Sequence, residues 1–226
     1  MPTLERDGIR IAYEVHGNGD ARSPVLLTHG FGQSRRMWDA NLDALTEQRR
    51  AIGWDMRGHG ESDAPVDGSL YTHEACLGDM EAVLDAAGVA SVVLCGMSLG
   101  GFLSLAFRVR FPERVAGLVL TGTGPGFRDS GARARWNERA SGAAATRARL
   151  LLQGDDAAIA SLPEIAVPVL VIVGSGDQSF LHAADVMERR IPGARKVVLE
   201  GAGHGANMDA PEEWNAAVRE FLQEVG

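Results

Sequence analysis

Short apolar runs alternate with amphipathic stretches along this chain. Val25 to Thr28, Ala51 to Asp55, Val92 to Gly96, Leu118 to Thr121 and Val167 to Val173 are apolar almost throughout. That is the pattern of strands covered on both faces. Ile9 to His16 instead alternates apolar and polar positions and is expected to be the first strand. Lys196 to Leu199 completes the set. Helical periods lie between the runs. Tyr71 to Ala87 places Ala75, Leu77, Met80, Val83, Leu84 and Ala87 on one face, with Gly88 as its stop. Leu99 to Phe111 and His182 to Ile191 each end at a proline. The last helix starts near Pro211, where Glu212 and Glu213 suit the positive helix end. Trp214, Ala217, Val218, Phe221 and Leu222 form its apolar face.

Strand–helix alternation of this kind predicts an α/β fold, a mostly parallel, doubly wound sheet covered by helices. One stretch breaks the rhythm. Arg128 to Pro163 is rich in Ala and Arg and carries no strand signal. It is read as a small helical insertion over the sheet, dividing a core of residues 1–127 and 164–226.

Composition narrows the picture. The chain has 226 residues, 45% of them hydrophobic and 23% charged, values of a globular domain. Its net charge of −8 disfavours nucleic acid and anionic membrane surfaces as partners. The N-terminal stretch lacks a basic region followed by an apolar run, so no secretory signal is expected. No apolar run is long enough to span a bilayer. Cys76 and Cys95 read as reduced packing thiols, and a cytoplasmic location is expected.

The chemistry centres on Gly96-Met97-Ser98-Leu99-Gly100, a Gly-x-Ser-x-Gly sequence between a strand and a helix. Such a turn is so tight that side chains at Gly96 and Gly100 would collide. It presents the Ser98 hydroxyl above the sheet, with the helix N-terminus facing developing negative charge. A serine needs a base. Among six histidines, His204 follows a strand directly, at the sheet edge where Ser98 emerges. His73 and His182 fall near helix starts and are expected to be solvated, and His16 reads as a surface residue. Asp177, in Gly174-Ser175-Gly176-Asp177, also follows a strand and would orient the imidazole. The position after the strand ending at Thr121 offers no carboxylate, only Gly122-Thr123-Gly124.

Thr28-His29-Gly30-Phe31-Gly32 follows a strand and can turn a backbone N–H toward a substrate oxygen. Phe31 and Leu99 N–H are the expected oxyanion donors. His29 is read as structural. Asp55 and Arg57, in a charged Gly-rich loop, are read as loop-holding residues. No phosphate loop or clustered Cys/His pattern appears, and neither a metal nor an organic cofactor is expected.

With these motifs, the chain resembles the α/β-hydrolase family, in the branch of carboxylesterases, enol-lactonases and cofactor-free haloperoxidases. The likeness runs from about Ile9 to Val225. It implies a serine hydrolase acting on a small-molecule ester or lactone through Ser98, His204 and Asp177. Carbon–carbon bond hydrolysis and perhydrolysis use the same machinery, and a non-catalytic ligand-binding member of the fold is the other alternative. Family members that open epoxides or alkyl halides carry aspartate at the elbow, so Ser98 disfavours those reactions. Residues 128–163 are fewer than the usual cap, which predicts a reduced cap and a more open cleft. Apolar surface left by a short cap would suit a homodimer.

Overall fold

The computed structural model describes residues 2–19, 22–142 and 146–226. Eight strands form one sheet: β1 (Thr3–Arg6), β2 (Ile9–His16), β3 (Val25–Thr28), β4 (Ala51–Trp54), β5 (Val92–Met97), β6 (Val115–Thr121), β7 (Val169–Gly174) and β8 (Arg195–Leu199). Their spatial order is β1-β2-β4-β3-β5-β6-β7-β8. β1 and β2 run antiparallel to their neighbours, and β4 through β8 pair in parallel. The mostly parallel α/β architecture expected from the sequence is therefore present.

The sequence pattern predicts Ile9 to His16 as the first strand, but β1 precedes it. Arg6 pairs with Ile9 across Asp7-Gly8, both at positive φ (54° and 72°). Asp-Gly is a strong two-residue hairpin signal, so β1 was legible in that dipeptide. β6 also starts earlier than expected, at Val115.

The helices are α1 (Leu42–Thr46), α2 (His73–Ala86), α3 (Leu99–Arg110), α4 (Ser130–Ser141), α5 (Ala157–Ala160), α6 (Gln178–Arg190), α7 (Ala206–Asp209) and α8 (Pro211–Glu224). Side chains alternate across a strand, and here the alternation feeds two cores. Leu26, Leu94, Leu118 and Val171 join Met80 and Val83 of α2, Leu103 and Phe107 of α3 and Met187 of α6. Val25, Val93, Val119 and Leu170 join Leu45 of α1 and Trp214, Val218 and Phe221 of α8 on the other face.

The sheet order reverses at β3. β4 lies on one side of it and β5 on the other, with Thr28 in register with Gly96. Such a reversal opens a crevice at the carboxyl ends of the strands. The loops after β3 and β5 meet there. Residues 128–163 hold α4, a 3-10 stretch from Thr146–Leu151 and α5. Among the described residues no helix is long and apolar enough to cross a membrane.

Candidate active site

Ser98 sits between β5 and α3 at φ 53° and ψ −115°, a conformation that non-glycine residues rarely hold. The turn is fixed from both sides: Ser98 N–H donates to Thr121 O at 2.9 Å, and Thr123 Oγ1–H donates to Ser98 O at 2.6 Å. A Cβ on Gly100 would lie 2.1 Å from Thr28 O, and one on Gly96 would lie 2.3 Å from Gly100 O. Both glycines are therefore steric requirements of the elbow, as expected.

His204 and Asp177 converge on that hydroxyl. His204 Nε2 lies 3.0 Å from Ser98 Oγ, and His204 Nδ1 lies 2.7 Å from Asp177 Oδ2. A carboxylate only accepts, so Nδ1 carries the hydrogen and Nε2 offers its lone pair to the serine hydroxyl. Asp177 is 6% exposed, whereas the His204 side chain is 45% exposed. Their loops are tied together by Gly176 N–H donating to Ala202 O at 2.9 Å. Gly203 N–H donates to Asp209 Oδ2 at 2.8 Å and steadies the turn holding His204. Gly122, where a rival carboxylate would have stood, packs under the pair instead. A Cβ there would lie 3.3 Å from His204 Nδ1 and 3.5 Å from Asp177 Oδ2.

The loop after β3 passes alongside. A Cβ on Gly30 would come 3.5 Å from Ser98 Cβ. His29 is wholly buried, its Nδ1–H donating to Gly30 O at 2.7 Å and its Nε2 accepting from Met56 N–H at 3.0 Å. Burial pushes its pKa down to about 4. A neutral ring that braces the loop is the structural role expected of it. The Phe31 ring lies against His59 (5.5 Å between centroids) and under the Arg147 guanidinium (5.9 Å). Leu99, the first residue of α3, reaches the cavity wall. Its N–H belongs to the first helical turn, which has no acceptor within the helix.

That cavity has a volume of about 400 Å³ and is walled by Leu99, Phe102, Phe127, Trp136 and Phe180 around Ser98. Trp136 comes from α4, and Leu150 and Leu151 from the 3-10 stretch also line it. The short insertion thus contributes part of the wall of the site. Trp136 Nε1–H donates to Leu151 O at 2.7 Å, and Asn137 bonds Gln153 O and N–H, each at 2.9 Å. His73 differs from expectation too. Its Nε2–H donates to Leu150 O at 2.8 Å, it packs on Phe102, and burial lowers its pKa, so it is not a solvated helix-start residue.

Asp55 and Arg57 hold structure, as read. Asp55 accepts from Arg35 N–H at 2.7 Å, from the Arg35 guanidinium and from Glu61 N–H at 2.9 Å. Arg57 makes two bonds to the buried Asp79, at 2.7 and 2.8 Å. Burial raises the Cys76 and Cys95 thiols, which stay protonated packing groups. Among the described residues no group of three or more His, Cys, Asp or Glu side chains could hold a metal ion.

A model of the alpha/beta hydrolase fold matches residues 23–152. The chain belongs to the alpha/beta-hydrolase family. A Bacillus subtilis (strain 168) protein provisionally named 2-succinyl-6-hydroxy-2,4-cyclohexadiene-1-carboxylate synthase is 28% identical, over 97% of each chain. A thermophilic esterase from Thermogutta terrifontis is 28% identical at a TM-score of 0.83, over 98% of this chain and 96% of that one. The enol-lactonase from Burkholderia xenovorans LB400 shares the fold at a TM-score of 0.81, with 23% identity over 99% of this chain and 100% of that one. This alpha/beta hydrolase shares its architecture over nearly its full length with both solved structures.

Two side chains of the cavity wall are not predicted by the sequence pattern. Phe180 lies on the cavity wall, on a helix that was expected to begin only at His182. Asp177 immediately before that helix was a recognisable start signal. Trp136 carried only the general signal of an aromatic residue in the insertion.

Proposed function

We propose that this chain is a serine hydrolase that cleaves carboxylic esters of small molecules, with Ser98, His204 and Asp177 as its catalytic triad. The observation that carries this is the continuous hydrogen-bonded line from Ser98 Oγ through His204 to Asp177, at 3.0 and 2.7 Å. The 28% identical esterase from Thermogutta terrifontis supports an ester as substrate.

Ser98 Oγ attacks the ester carbonyl carbon while its proton passes to His204 Nε2. Asp177 stabilises the resulting imidazolium. Phe31 and Leu99 N–H groups receive the oxyanion, which carries full charge only in the tetrahedral intermediate. The C–O bond to the alcohol breaks as His204 returns the proton to the leaving oxygen. Water, deprotonated by His204, then attacks the acyl-serine and releases the acid.

The test pairs a fluorophosphonate probe with a substrate panel. Covalent labelling at Ser98 and turnover of short p-nitrophenyl esters are expected. An unlabelled Ser98 in folded protein would indicate a ligand-binding member of the fold. Inert esters beside turnover of a lactone or a ring-cleavage diketone would keep the triad and replace the substrate class.

A further inference from the structure

His204 is anchored at its two ring nitrogens. Those two bonds define a line through the imidazole and leave tilt about that line free. The face of the ring is met by Phe180, with centroids 5.0 Å apart and planes 18° from parallel. Phe180 stands three residues after Asp177, on the first turn of α6, and its N–H donates to Asp177 O at 3.0 Å. Residues three apart share a helix face. One helical turn therefore delivers a carboxylate to the edge of the imidazole and an aromatic face to its plane. Gly122 brings no side chain against the pair: a Cβ there would lie 3.3 Å from His204 Nδ1.

We propose that Phe180 is a positioning residue for His204, holding the imidazole in its reactive plane and stabilising the imidazolium formed when Ser98 gives up its proton. The inference rests on the assignment of Ser98, His204 and Asp177 as the triad. A cation within about 6 Å of an aromatic centroid is attracted by the negative face of the ring. The neutral imidazole of the resting enzyme has little of that attraction, so the contribution is made as the barrier is crossed. It acts on kcat more than on KM. Phe180 also lines the cavity beside Ser98, so a wall-only role would appear in KM and would vary with acyl size.

The test compares wild type with Phe180→Leu, which keeps apolar bulk and loses the aromatic face, and with Phe180→Tyr, which keeps the face. Fluorophosphonate labelling of wild-type Ser98 comes first; its absence would defeat the triad assignment and this inference with it, a failure distinct from one seen only in the Phe180 variants. With wild type labelled, Phe180→Leu is expected to lose about three- to thirtyfold in kcat on p-nitrophenyl acetate, with KM nearly unchanged. The labelling rate should fall in the same proportion, and Phe180→Tyr should restore both. Phe180→Met provides the same reading if the Leu variant melts early. Wild-type kcat and labelling rate in the Leu or Met variant, or a change in KM alone that grows with acyl length, would overturn the proposal.

Discussion

At the residue scale the site depends on a backbone held where side-chain-bearing residues rarely go. The positive φ of Ser98 stores strain of about 1–3 kcal/mol, sustained by its bonds to Thr121 and Thr123. Ser98→Ala keeps that backbone and removes only the hydroxyl oxygen proposed as the nucleophile. Turnover is expected to vanish while unfolding free energy stays within about 1 kcal/mol of wild type. A denaturant melt beside an esterase assay checks both. Asp177→Asn should keep the fold and lower kcat by about 10³- to 10⁴-fold, since an amide can present N–H to Nδ1 and favour the wrong tautomer. Retained rates in that variant would mean the carboxylate only fills space.

At the element scale, the glycines of the elbow set the distance between α3 and the loop after β3. Gly100→Ala pushes a methyl group into Thr28 O and is expected to cost about 3 kcal/mol. In α8, Phe221 is buried in the cluster that also holds Val119 and Leu170, and Phe221→Ala should destabilise by about 3–5 kcal/mol. Thermal melts rank the two. Buried strands were legible because β3, β5 and β7 are apolar on both faces, leaving their period no ambiguity. α1 was not, because it is five residues long and follows a 3-10 stretch at Arg35–Asn41, too short for a helical period to show. α6 begins at Gln178, earlier than expected, although Asp177 at its cap position was a start signal; in the fold that carboxylate goes to His204 and makes no side-chain cap bond. The convergence of Ser98, His204 and Asp177 was legible because Ser98 directly follows β5 and the other two stand in the loops after β7 and β8. The aromatic wall was not, since Phe102, Trp136 and Phe180 come from three helices whose approach only tertiary packing decides.

Across the whole molecule, buried titratable groups link stability to pH. His29 is neutral in the fold, its pKa down to about 4 against 6.5 for the free side chain. His59 and His73 are lowered by burial in the same sense. Between those values the unfolded chain binds more protons than the folded one, so stability is full above pH 6.5 and declines as pH falls toward 4. His29 alone contributes up to about 1.4 kcal/mol per pH unit across that window, and His59 and His73 act in the same direction. Urea melts at pH 7, 6 and 5 should show the decline before most carboxylates titrate, and a flat series would refute the buried neutral rings. Asp79 anchors a wider net, accepting from Arg57 and from Arg6 at 3.1 Å. Asp79→Ala leaves the Arg57 guanidinium buried without its counter-charge and should cost about 3–5 kcal/mol.

The paired bonds between Asn137 and the Gln153 backbone, with the indole of Trp136 on Leu151 O, stitch the two arms of residues 128–153 to each other. Under the proposed function, exchanging this stretch, together with its ties from Arg147 to Gly58 O and from His73 to Leu150 O, is expected to change which ester acyl lengths turn over. A graft cut at Arg128 and Pro163 would exchange the Trp136 and Leu151 side of the chamber while every proton-handling group stayed rooted in its own strand end.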